Sequence, residues 1–91
     1  MQDFHRKTIY EHNISCMTAS VYNGCLSILS EVFEDKTHYG SEKAYNLDKE
    51  STDKFFSIIS LEDFIAQCDS SMWLEDFLEK NDISYISSMI W

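Results

Sequence analysis

The sequence predicts one α+β domain over residues 1–91, an antiparallel β-sheet packed against two or three short helices (about 49–80). Three observations carry this expectation. Two runs of strand-forming residues flank Asn23-Gly24, the hydrophobic period turns helical after Asp48, and strict alternation returns from Ile83 to Trp91. A chain of 91 residues buries somewhat more than the roughly 60% of unfolded surface typical of a 60-residue domain, enough for one modest core.

In chain order, the first twelve residues are ambiguous between helix and strand around Thr8 to Glu11. Residues 14–34 then read as a β-hairpin, because Asn-Gly is the dipeptide favoured in a two-residue type I′ turn. In that register Tyr22 faces Cys25, Val21 faces Leu26, Ala19 faces Ile28 and Met17 faces Ser30, forming a largely apolar face. The opposite face pairs Thr18 with Leu29, Cys16 with Glu31 and Ser20 with Ser27, and is mostly polar. Glu34 to Ser41 has no period and contains Gly40, so it reads as an exposed loop. A third strand follows near 42–47, centred on Ala44 and Tyr45.

Asp48, Ser51 and Thr52 can each accept a bond from an orphan amide and start a helix before Phe55, Phe56, Ile58 and Ile59. Ser60-Leu61-Glu62-Asp63 resembles a capping box, behind which Leu61, Phe64, Ile65 and Cys68 recur at buried-helix spacing. Asp69, Ser70 and Ser71 supply another break and cap before Trp73, Leu74, Phe77 and Leu78. That helix ends near Asn81, a residue tolerated in the left-handed conformation. The tail, 83–91, returns to the sheet as a last strand, and proline is absent.

Composition limits function. Sixteen Asp and Glu stand against seven Lys and Arg, a formal charge of −9. With 44% hydrophobic and 14% aromatic residues, the chain does not fit a disordered acidic tail. The charge points outward, to a basic partner. No apolar run approaches the 18 or more residues needed to span a bilayer, and the N-terminus lacks the apolar stretch of a signal peptide, so a cytoplasmic location is expected with no membrane partner. Cys16, Cys25 and Cys68 lack C-x-x-C spacing and suit small buried thiols in a reducing compartment.

Nothing in the spacing requires an enzyme, a metal or a cofactor. His5, His12 and His38 have no metal-ligand spacing with a cysteine. A Cys-His nucleophilic pair meets in space and has no signature here. Glu62-Asp63 and Glu75-Asp76 are adjacent, so on a helix each pair diverges by about 100° and makes no natural dyad.

The acidic residues fall in two sets. Between Lys54 and Lys80 no basic residue interrupts Glu62, Asp63, Asp69, Glu75, Asp76 and Glu79, although helix N-termini explain part of that bias. The second set, Glu31, Glu34, Asp35, Glu42, Asp48, Glu50 and Asp53, is interleaved with Lys36, Lys43, Lys49 and Lys54 and suggests a surface shaped for one partner. Phe55, Phe56, Phe64, Trp73 and Phe77 have core spacing, whereas Tyr39, Tyr45 and Trp91 are interface candidates. The expected binding site is therefore the second acidic set with Tyr39 and Tyr45.

The order of segments resembles small bacterial immunity proteins of contact-dependent growth inhibition and related polymorphic toxin systems. The likeness runs from about 17 to 85, through Val21 to Glu31, Ser41 to Tyr45, Ser60 to Ile65 and Trp73 to Leu78. Such proteins share no signature motif, so the resemblance transfers no residue role. It implies an antitoxin that binds a cognate basic toxin domain one to one, often a nuclease, and occludes its cationic cleft without touching nucleic acid itself. The alternative is a phage-type nucleic-acid mimic or anti-defence inhibitor, which should keep unbroken carboxylate rows; here four lysines interrupt one set.

Overall fold

A computed structural model describes residues 2–33 and 39–89. Among the described residues eight elements follow in order: β1 (Phe4–Glu11), β2 (Ser15–Tyr22), β3 (Cys25–Phe33), β4 (Tyr39–Asn46), α1 (Lys49–Ile58), α2 (Leu61–Gln67), α3 (Ser71–Lys80) and β5 (Ile86–Met89). The strands form one antiparallel sheet of five in the order β1-β2-β3-β4-β5, and the helices pack on one face of it. This is an α+β fold.

The hairpin has the register read from its turn, from Tyr22 opposite Cys25 to Cys16 opposite Glu31. Asn23 and Gly24 take φ of 53° and 78°, the left-handed pair a type I′ turn requires. The turn is also held from outside. The Asp3 carboxylate accepts from the Asn23 amide at 2.9 Å and the Gly24 amide at 3.2 Å, tying the start of the chain to the hairpin tip.

The ambiguous N-terminal segment is a full edge strand. Its alternation is obscured because its register against β2 shifts between Phe4 and Lys7 and again between Thr8 and Tyr10, and because Arg6 adopts φ 47°. Such irregularities break the period of two on which strand recognition depends. The expected three-stranded meander is thus four strands long before the helices begin.

All three helix starts follow from their caps. Asp48, Ser60 and Ser70 accept from the amides of Ser51, Asp63 and Trp73. The α3 terminus corrects the sequence reading by one residue: Asp82, not Asn81, is left-handed, at φ 55°. The Ile83 amide donates to the Leu78 carbonyl at 2.9 Å and the Asp82 amide to the Glu79 carbonyl at 3.2 Å, the paired bonds of a Schellman end. Ile83 is buried there, so the last strand begins only at Ile86; residues 90 and 91, including the interface candidate Trp91, lie outside the described residues.

The core joins Met17, Ala19, Val21, Leu26, Ile28 and Tyr45 of the sheet to Phe55, Phe64, Leu74 and Leu78 of the helices. Phe55 is its hub, edge-on to Phe56, Phe64 and Phe77 with centroids 5.0–5.2 Å away, a favoured arrangement of aromatic quadrupoles. Buried Thr52 locks α1 to β3, its hydroxyl accepting from the Leu26 amide at 2.8 Å. Ile65, expected on the buried stripe of α2, is exposed, while Phe64 and Cys68 of the same stripe are buried. Among the described residues no helix is long and apolar enough to cross a membrane.

Candidate protein-binding surface

An antiparallel sheet covered on one side leaves the other face to solvent. With Met17, Ala19, Leu26 and Ile28 pointing into the core, alternation turns Cys16, Thr18, Ser27 and Leu29 outward. Register then assembles a row that no single segment displays. Glu11 pairs with Cys16, Cys16 with Glu31, and Glu31 with Glu42. Three carboxylates and a thiol thus cross β1 to β4 on the open face, over a span of about 14 Å at the usual strand spacing. The next row, Thr8, Thr18, Leu29, Ala44 and Ser88, is uncharged, as is the row of Ser20, Ser27, Asn46 and Ile86 beyond it. The face is polarised, its carboxylate row at one end and uncharged side chains beyond it on β2 to β5, with Arg6 of β1 beside Ser20.

Cys16 senses that polarity. Its thiol donates to Glu31 Oε1 at 3.8 Å. Partial burial raises its pKa above the usual thiol range, the charges of Glu31 and Glu11 raise it further, and Arg6 only partly opposes them. Cys16 and His12 share the wall of a shallow cleft of about 490 Å³ with Glu11, Asn13, Ser15 and Phe33. A nucleophilic thiol needs a cation to lower its pKa, and this one is pushed the other way. His12 is otherwise engaged, stacked on Tyr10 at 4.7 Å and donating from Nε2 to the Asp69 carbonyl at 3.1 Å. Cys16 and Cys25 are half-buried and only Cys68 is buried, so the expectation of three core thiols holds for one. Among the described residues no group of three or more His, Cys, Asp or Glu can hold a metal ion.

The sheet divides the site read from sequence. Glu31 and Glu42 belong to the acidic row, and Tyr39 opens β4 at the same end. Glu34 and Asp35 lie outside the described residues. Asp48, Glu50 and Asp53 sit elsewhere: Asp48 caps α1, and with Glu50, Lys54 and Asp82 it lines a separate cleft of about 200 Å³ on the helical side. The four residue steps along β4 from Glu42 to Asn46 alone carry the chain about 13 Å away.

Tyr45 corrects the sequence reading outright, because it is fully buried and cannot anchor a partner. Its hydroxyl donates to Glu75 Oε2 at 2.8 Å, and Lys43 Nζ lies 3.4 Å from Glu75 Oε1 and 5.2 Å from the Tyr45 ring centroid. Burial, then the bond and charge of Glu75, push the Tyr45 pKa upward. Glu75, counted among the unbroken helical acids, is therefore used inside the fold.

Glu11 is the residue that sequence reasoning missed. It became legible only once β1 was known to be a strand whose end pairs with Cys16. No protein-family model matches the chain, and neither the curated proteins nor the solved structures yield a match.

Proposed function

We propose that the chain is an immunity-type inhibitor that captures a basic protein domain, a toxin nuclease being the fitting class, through the acidic end of its open sheet face. The observation that carries this reading is the row Glu11, Glu31 and Glu42, set on three different strands of one rigid sheet. Rigid placement lowers the entropy lost on binding, and like charges brought face to face favour a cation docked between them. The overall charge of −9 adds steering that speeds encounter with a cationic surface.

The test compares the wild-type chain with Glu11→Gln/Glu31→Gln/Glu42→Gln and with Glu62→Gln/Asp63→Asn/Asp76→Asn/Glu79→Gln as baits in a lysate of the encoding organism, washed at rising salt. Capture of one cationic protein by the wild type and the helical variant, with loss by the sheet variant, is the expected result. The captured protein is then assayed for nuclease activity with and without the chain. Loss only in the helical variant moves the site to the helices, and equal capture by all three ends the electrostatic account. A set of unrelated DNA-binding enzymes released together by salt indicates a nucleic-acid mimic.

A further inference from the structure

We infer that the outer edge of β5 is a self-association surface, on which two copies pair their β5 strands antiparallel about a two-fold axis through Ser87 and so join their sheets. β5 is an edge strand with β4 on one side and, among the described residues, no strand on the other. Unpaired strand edges present rows of donors and acceptors that another strand can satisfy, and proteins guard them with charge, bulges and short length.

The two edges of this sheet are guarded unequally. β1 carries Arg6 and Lys7, two register shifts and a left-handed residue. β5 has only its short length: it reads Ile-Ser-Ser-Met, all exposed, with Ile86 at 74% and Met89 at 58%. No charged residue occurs from Ile83 to Met89. In a chain of net charge −9, this is surface that two copies can bring together without opposing carboxylates. It offers nothing to a cation, so the basic partner proposed above is not its occupant.

Register makes the edge self-complementary. Ser87 pairs with Tyr45 and Met89 with Lys43, while Ser88 pairs with Ala44, so Ser87 and Met89 share the helix-covered face with Tyr85, and Ile86 and Ser88 share the open one. A two-fold axis normal to the sheet keeps each face continuous only if facing residues have the same parity. Centred on Ser87, it sets Ile86 opposite Ser88 and Tyr85 opposite Met89 on both sides of the axis, the latter a sulfur-aromatic contact. On each copy Glu75 of α3 bonds to Tyr45 and Lys43 of β4, the strand inward from the pairing edge.

Sedimentation of the full chain from micromolar to millimolar concentration, at low and high salt, tests the proposal. A reversible monomer–dimer equilibrium is expected, and high salt should strengthen it by screening the two acidic bodies. The capture of a basic partner should weaken with salt, so the two readings fail independently. Ile86→Glu/Met89→Glu should sediment as a monomer throughout while its far-ultraviolet spectrum and melting temperature stay near wild type. In a Cys16→Ser/Cys25→Ser background, Ser87→Cys should oxidise to a covalent dimer, since residues facing each other across the axis lie about 4.5–5.5 Å apart, within disulfide reach. Ser88→Cys should not. A monomer at every concentration and salt, a dimer that survives the double glutamate variant, or equal cross-linking at 87 and 88 would each overturn it.

Discussion

Replacing Tyr45 with Phe tests the reassignment of this residue from interface to core. The ring stays buried and only the hydroxyl is lost, so the change removes the 2.8 Å bond to Glu75 Oε2 together with a lesser interaction with Ser71. Hydrogen bonds to charged groups contribute about 1.5–3 kcal/mol. Glu75 is 35% exposed and water can replace part of the bond, so the lower end, about 1.5 kcal/mol, applies. For a domain of this size each kcal/mol moves the melting temperature by about 4–8 °C, which puts the fall at about 6–12 °C. Lys43 and Glu75 form a partly exposed ion pair that contributes less, about 1 kcal/mol at most. Chemical denaturation of wild type, Tyr45→Phe, Glu75→Gln and the double variant should therefore give a coupling of about 1 kcal/mol, because the two groups share one bond. Capture of the basic partner should be unchanged in Tyr45→Phe. Strict additivity, or a Tyr45→Phe variant as stable as wild type with weakened capture, would refute the reassignment.

Four further outcomes are expected. Thr52→Val keeps the shape of a buried residue but strands the Leu26 amide, and should cost about 1–3 kcal/mol in denaturant titrations. Ser70→Ala removes the acceptor for the Trp73 amide at the head of α3 and should cost about 1 kcal/mol. Gly24→Ala forces a side chain into φ 78°, with Lys49 Cγ 3.4 Å from the new Cβ, and should cost about 1–2 kcal/mol by the same assay. Burial pushes the Cys68 thiol from 9.0 up to about 11. Its protonated form is thus favoured by folding, and that contribution is full below pH 9 and lost as pH rises through about 11. Melting temperatures between pH 8 and 11 should fall less steeply in Cys68→Ala than in the wild type.

Local signals carried much of the architecture. Asn23-Gly24 fixed a register because a two-residue turn leaves the flanking strands no freedom to slip, and Asp48, Ser60 and Ser70 marked helices because short side-chain acceptors satisfy amides that nothing else can reach. What escaped were features set by partners distant in sequence. β1 was obscured by its bulges, and Ile65 has the spacing of a buried stripe yet faces solvent. Tyr45 reads as an interface aromatic, and its burial comes from partners distant in sequence: it pairs with core Ile28 on β3 and its hydroxyl reaches Glu75, thirty residues on. The acidic row was half legible for the same reason. Glu31 and Glu42 stand out as carboxylates, but their alignment with Glu11 exists only through three strand pairings.

The strand order has a consequence for how the chain comes into being. β1 to β4 are consecutive, so the whole apolar face of a four-stranded sheet can form before the first helix that covers it has left the ribosome. Residues 49–80 then take about 2–6 s to appear at ordinary elongation rates. For that interval Met17, Ala19, Val21, Leu26 and Ile28 have no cover from their own chain. A nascent sheet of this kind is a natural client for a ribosome-bound chaperone, and slowing synthesis across the helices would lengthen its exposure to aggregation.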